Sequence, residues 1–216
     1  MNKLLVSDII NLDNGEYILN CQNEDISIKI NGEVKLYLYN EKIDKLNIDL
    51  KDNSTLKIYI FNDDKANLEV NINQNNNSKI YYNESFINEL NNKLIINNSI
   101  VGNNNESYIN IRNICNKNKS EIIINVEIKE NTINNIALED LKGINNGGMV
   151  HIEPNIICLS NEVVANHLTT IGGVDKNSLN YLMSKGINEE KSKKILLKGF
   201  IYSNMDENFK KNFGGD

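Results

Sequence analysis

Two histidines, His151 and His167, and three cysteines, Cys21, Cys115 and Cys158, are the residues of this 216-residue chain best suited to holding a metal. A neutral imidazole nitrogen is a borderline donor and a thiolate a soft one. The cysteines are far apart and odd in number, which fits neither a disulfide framework nor a CxxC metal knuckle. Reduced thiols in a cytoplasmic protein are the simplest expectation. No nucleophile–base constellation stands out, so a conventional hydrolase finds no support.

Charge and composition exclude several classes. The formal net charge is −6, so no basic footprint points to nucleic acid. No apolar run approaches the ~18 residues of a membrane span. The first residues, MNKLLVSDIINLDNGEY, lack the long apolar stretch of a signal peptide. A cytoplasmic protein with neither nucleic-acid nor membrane partners is expected. The chain is rich in Asn, and the short tracts Asn75–Asn77 and Asn103–Asn105 lie between apolar segments, where they read as turns rather than disordered runs.

The elements that must position these residues are mainly strands. Residues 1–15 are ambiguous: Leu4, Leu5, Ile9, Ile10 and Leu12 suit a short helix face or a strand, before the turn at Asp13-Asn14-Gly15. From Glu16 to about Glu130, apolar and polar residues alternate in short runs, the period of a half-buried strand. Ile26-Ser27-Ile28-Lys29-Ile30 and Leu56-Lys57-Ile58-Tyr59-Ile60 are examples. Sparse Asn-Gly hairpin signals, aliphatics on one face and repeats of similar size favour stacked parallel coils over an antiparallel sandwich. Asn at the corners fits, because it tolerates left-handed backbone.

From Thr132 to Met149 the pattern is less regular. Strand character resumes from Val150 to Val164, and Pro154 marks an edge, a strand start or a bulge. Beyond Gly172-Gly173 the period changes to helical. Asp175 caps a helix over 176–185, with Gly186 as its left-handed terminator. Asn188 caps a second helix over 189–202, whose Ser192, Leu196, Gly199 and Phe200 share a face, the glycine suggesting a close approach. Asp206 caps a last short helix over 207–213. The expected layout is an N-terminal segment (1–15), a β core (16–172) and C-terminal helices (173–216).

The run His167-Leu-Thr-Thr-Ile-Gly-Gly-Val-Asp175, then Leu179-Asn-Tyr-Leu-Met-Ser-Lys-Gly-Ile187, then Gly199-Phe200, resembles the C-terminal signature of the SufB/SufD family. Glu153-Pro154-Asn155-Ile156 upstream fits the same pattern. The likeness covers about 50 residues and is fairly specific in order and spacing. The chain is shorter than usual family members and is expected to lack their N-terminal helical region. The resemblance implies a right-handed parallel β-helix (β-solenoid) followed by a small C-terminal helical segment. It also implies a scaffold rather than an enzyme, working in iron–sulfur cluster assembly and docked to an ABC-type ATPase, SufC, through the C-terminal helices. Tyr181, Leu182, Lys185, Gly186, Leu196 and Phe200 are the docking residues this implies. The chain has no GxxxxGK[ST] loop, so ATP hydrolysis falls to the partner. The other expected partner is a SufB-type paralogue or a second copy of the chain.

Measured against the family pattern, Gly148 stands where the SufB branch has its assembly cysteine, and Leu168 where it has an acid. Ala165 replaces a cysteine of some SufD proteins. His167 keeps the place of a histidine implicated in SufD, so the resemblance is SufD-like. His167 and Cys158 are therefore the candidate ligands of a transient iron–sulfur cluster, with His167 the candidate metal ligand. The bland alternatives are a buried inert thiol for Cys158, a structural hydrogen-bonding role for His167, a surface or cross-strand role for His151 and core filling for Cys21 and Cys115. Other functions remain open: a self-sufficient homodimeric scaffold using His167 and Cys158 from two chains, or a β-solenoid interaction protein unrelated to iron–sulfur chemistry.

Overall fold

The computed structural model describes residues 2–5, 9–20, 23–63 and 67–213. The strands are β1 (Asn2–Leu5), β2 (Ile9–Leu12), β3 (Gly15–Asn20), β4 (Asp25–Ile30), β5 (Glu33–Asn40), β6 (Lys45–Leu50) and β7 (Thr55–Asp63). They continue as β8 (Asn67–Gln74), β9 (Lys79–Asn88), β10 (Asn92–Ile100), β11 (Glu106–Cys115) and β12 (Lys119–Ile128). The last are β13 (Asn135–Asn145), β14 (Met149–Cys158) and β15 (Val163–Gly172). Three helices follow: α1 (Lys176–Ser184), α2 (Glu189–Ile201) and α3 (Glu207–Phe213).

Odd and even strands form separate parallel sheets, in the orders β1-β3-β5-β7-β9-β11-β13-β15 and β14-β12-β10-β8-β6-β4-β2. Each turn of the chain gives one strand to each sheet, which is a parallel β-solenoid. The ambiguous start of the chain is strand: β1 and β2 pair in parallel with β3 and β4.

Alternation explains the core. In β6 and β12 every second residue is buried, and Leu46, Ile48, Leu50, Ile122, Ile124, Val126 and Ile128 meet in the lumen. Each such aliphatic contributes ~1.5–3 kcal/mol relative to exposure. A single turn cannot bury its own inward row, so each coil depends on its neighbours above and below.

The abundance of Asn has two structural causes. Asn53, Asn77, Asn104 and Asn134 have φ between 55° and 60° at successive corners, the left-handed region that Asn enters more readily than most residues. Their side chains form a ladder: the Nδ2 of Asn77 donates to Asn53 Oδ1 at 3.1 Å, Asn104 to Asn77 at 3.0 Å and Asn134 to Asn104 at 3.2 Å. A second ladder climbs the outer face of the seven-stranded sheet. There Asn71 donates to Asn47, Asn97 to Asn71, Asn125 to Asn97 and Asn155 to Asn125, all within 2.9–3.1 Å. Rings stack by the same register, as Tyr81 does on Tyr108 at 5.0 Å.

The segment 132–149 departs from the sequence expectation. It holds a regular strand, β13, with an uninterrupted alternation of burial. The pattern looked irregular because one inward position carries Glu139 and another Gly143. Pro154 lies within β14, an edge strand of the seven-stranded sheet, where a missing N–H is tolerated.

The helices begin where their caps predict. Ser178 N donates to Asp175 Oδ2 at 2.7 Å, Lys191 N to Asn188 Oδ1 at 2.9 Å and Phe209 N to Asp206 Oδ1 at 2.8 Å. Gly186 terminates α1 with φ +84°. After α1 and α2 pair, the chain runs back along the outer face of the eight-stranded sheet. Ile201, Met205 and Phe209 bury against Tyr37, Phe61 and Ile114, with Leu197 and Phe200 packed alongside. Polar contacts pin the same face. Ser85 Oγ donates to Ile201 O at 2.6 Å, Lys35 meets Asp206 at 2.7 Å, and Arg112 joins Asp140 at 2.5 Å and Ser203 Oγ at 3.1 Å. The predicted α2 face is therefore shifted. Leu197, Phe200 and Ile201 meet the body, while Gly199 is exposed with nothing within 4 Å of where its Cβ would be.

Candidate functional site

Among the described residues no coil stacks on the solenoid turn made by β14 and β15. β14 pairs only with β12 and β15 only with β13, so each is a sheet edge. Inward positions that lower turns would bury stand open here. On the outward rows of the same strands Ile157, Val164 and Leu168 are also more than half exposed, as is Leu159 just after β14.

Parallel register shows which residues face the open lumen. Ala137, Glu139 and Leu141 of β13 point inward and are buried. Their partners on β15 are Ala165, His167 and Thr169, so these share that face. On β14 the inward row is Val150, Ile152, Pro154, Ile156 and Cys158, the partners of Ser120, Ile122, Ile124, Val126 and Ile128. Thus both sequence candidates, His167 and Cys158, line the mouth of the lumen.

The structure does not bring these two together within one chain. Cys158 ends β14, whereas His167 lies four residues into β15, which begins at Val163 after the corner. At ~3.3 Å per residue that offset is roughly 13 Å along the strand. The alternative reading of Cys158 as a buried, inert thiol is overturned: the thiol is exposed, because no further described turn covers it. Cys115 is fully buried, its Sγ 3.3 Å from Lys117 O. Cys21 lies outside the described residues. His151 is on the surface of β14, with Nε2 3.9 Å from Glu153 Oε2.

Gly148 has a physical explanation. A Cβ there would lie 2.5 Å from Cys115 Sγ and 2.7 Å from Lys117 O. The corner is closed against any side chain, so a cysteine at this place does not fit this chain. Leu168, where an acid was the alternative, points out of the lumen and is 57% exposed.

Sequence reasoning missed Glu139. It is 4% exposed, both carboxylate oxygens are buried without a hydrogen-bond partner, and it is the register partner of His167. Burial alone pushes its carboxyl up to about 7. The signal was present as the acid that breaks the 132–149 alternation. A second buried carboxyl, Glu84, sits deeper in the solenoid and accepts from Tyr82 Oη and Asn62 Nδ2. Burial raises it to about 8, against the opposing pull of those two donors.

The helical candidates divide. α1 buries no residue, and Tyr181 and Met183 are exposed, with Lys185 Nζ 5.4 Å from the Tyr181 ring centroid. Gly186 is exposed at the turn, and Leu182 and Leu196 are half-buried. Phe200 is half-buried against the outer sheet face, so much of its ring is committed to its own chain.

The open turn and the helical hairpin coincide with a family match. Residues 143–200 match the family described as "SUF system FeS cluster assembly, SufBD core domain". An iron–sulfur cluster assembly SufBD family protein of Pyrococcus horikoshii is 38% identical over 48 residues, covering 22% of this chain and 11% of that protein. A parallel solenoid whose last turn leads into capped helices is the class of protein defined here. The segment from Gly143 to Phe200 is similar to the SufB/SufD core domain, and the chain spans about a tenth of the length of the curated relative it matches.

A thiolate-bound cluster does not fit the mouth of a single chain. Among the described residues the one exposed thiol is Cys158, offset from His167, and no group of three or more His, Cys, Asp or Glu side chains is gathered. Likewise, no described helix is long and apolar enough to cross a membrane.

Proposed function

We propose that the protein is a SufD-like, non-enzymatic scaffold subunit of cytoplasmic iron–sulfur cluster assembly that docks a SufC-type ABC ATPase. One observation carries the docking: no residue of α1 is fully buried, while Tyr181 and Met183 stand exposed on it. Ile195 of α2 is also exposed. The outer end of the hairpin, with Leu182, Lys185, Gly186 and Leu196, forms the ATPase-facing surface. The inner end, including Phe200, straps the hairpin to the solenoid.

The open edges of β14 and β15 suit pairing with a SufB-type paralogue or a second copy. Unpaired backbone groups beside exposed Val164 and Leu168 are a ready template for another sheet. In such a pair His167 lies at the seam, and the thiolates that hold a transient cluster come in part from the partner, with Cys158 the one this chain can add.

Co-expression with the cognate ATPase under reducing conditions tests the reading. The ATPase should co-purify with the wild type and be lost with Tyr181→Ala plus Met183→Ser, both exposed positions. Absence of any ATPase binding by the wild-type chain overturns it.

A further inference from the structure

Glu139 is an anomaly that the scaffold role does not use. Burying a carboxyl with neither oxygen hydrogen-bonded is costly, and a group left so in a folded protein calls for a water or an ion. Among the described residues it is the only carboxyl group with both oxygens in this condition. Ile109, its partner on the turn below, is fully buried and apolar, so nothing from beneath satisfies it. Access is from above, through the open end, where its other register partner is His167.

We propose that Glu139 and His167 form an oxygen–nitrogen site at the open end of the solenoid that binds a single divalent transition-metal ion, with water completing its coordination. The chemistry of the donors makes the choice. A carboxylate and an imidazole at register-partnered positions suit a hard or borderline ion such as iron(II), manganese(II) or zinc, whereas a cluster wants thiolates. Among the described residues the one exposed thiol, Cys158, is offset by roughly 13 Å along the strand. Binding an ion also gives the buried carboxylate the partner it lacks. Selection of iron(II) from that class rests on the iron–sulfur reading; the site itself does not. Within that reading, this chain holds bare iron beside the seam at which the cluster forms.

Cobalt(II) is the probe, titrated anaerobically into the full chain and followed by its visible ligand-field bands. The wild type should show saturable bands without intense sulfur-to-cobalt charge transfer. Glu139→Gln, which keeps the side-chain volume, and His167→Gln, at an exposed position that burdens folding little, should each weaken binding by at least ~10-fold, the least that disturbing even an outer-shell partner brings. Circular dichroism and the thermal midpoint establish that both variants are folded. No saturable bands in the wild type, wild-type affinity in folded Glu139→Gln or His167→Gln, or charge transfer that disappears in Cys158→Ser would each overturn the site. ATPase co-purification, run on the same preparations, separates the two ideas. Retained ATPase binding without a cobalt site sinks the ion site alone, and a Glu139-dependent cobalt site without ATPase binding sinks the SufC-docking reading alone.

Discussion

Glu139 and His167 are register partners on adjacent parallel strands, β13 and β15, and both face the lumen where the solenoid ends. One is buried and the other exposed solely because the carboxyl has a strand above it and the imidazole has none. That single step marks the boundary between a packed core and an open, chemically usable end.

Glu84 makes stability depend on pH. Its folded carboxyl is raised to about 8 from an ordinary 4.5, so the folded state holds the proton more tightly than the unfolded chain. Its contribution is complete below about 4.5 and is lost as pH rises through about 8. Glu139 acts in the same direction. Urea unfolding midpoints should fall between pH 6 and pH 9 for the wild type. Glu84→Gln should flatten most of that fall, leaving a residual slope from Glu139. An unchanged slope in the variant would show that Glu84 is already charged in the folded state.

The corner at Gly148 tolerates no side chain. Gly148→Ala places a Cβ against Cys115 Sγ and the Lys117 backbone, and overpacking of this kind costs ~1–3 kcal/mol. Gly148→Cys should cost at least as much and should gain no cobalt charge-transfer band. A chemical-denaturation series on the two variants reads the cost directly, and equal stability to wild type refutes the packing argument.

At Asn104, backbone and ladder contributions can be separated. The residue has φ 56° and both gives and receives a side-chain amide bond. Asn104→Gly keeps the left-handed backbone and loses the ladder; Asn104→Ala loses both. The alanine variant should be less stable than the glycine variant by ~1 kcal/mol, the cost of a Cβ in left-handed backbone. Equal denaturation midpoints would assign the role to the ladder alone.

Leu168 reports on the open edge. It is exposed and points away from the lumen on β15. Leu168→Lys should weaken pairing of this end with a paralogue or second copy while leaving the thermal midpoint of the single chain unchanged, since edge lysines discourage strand addition. Sedimentation velocity of the variant against the wild type, alone and with the paralogue, gives the answer. Identical association of variant and wild type would remove β15 from the interface.

The local code of this protein was written in its sequence. Alternation from Glu16 onward, Asn at the corners, and the caps Asp175, Asn188 and Asp206 act over a few residues, and the structure keeps them all. The SufB/SufD signature was legible for the same reason, being a contiguous run. What tertiary structure decided depends on neighbours distant in sequence. A position in a solenoid is buried only if turns above and below cover it, so Cys158 is exposed although its strand is apolar. Glu139 looked like a break in the pattern and proved to be an inward residue, because burial is set by register with Ile109 and His167, which lie 28 or more residues away. The return of Ile201, Met205 and Phe209 onto Tyr37 and Phe61 likewise joins segments from opposite ends of the chain. Periodicity tells which residues face inward. Only the stacked turns tell where inward ends.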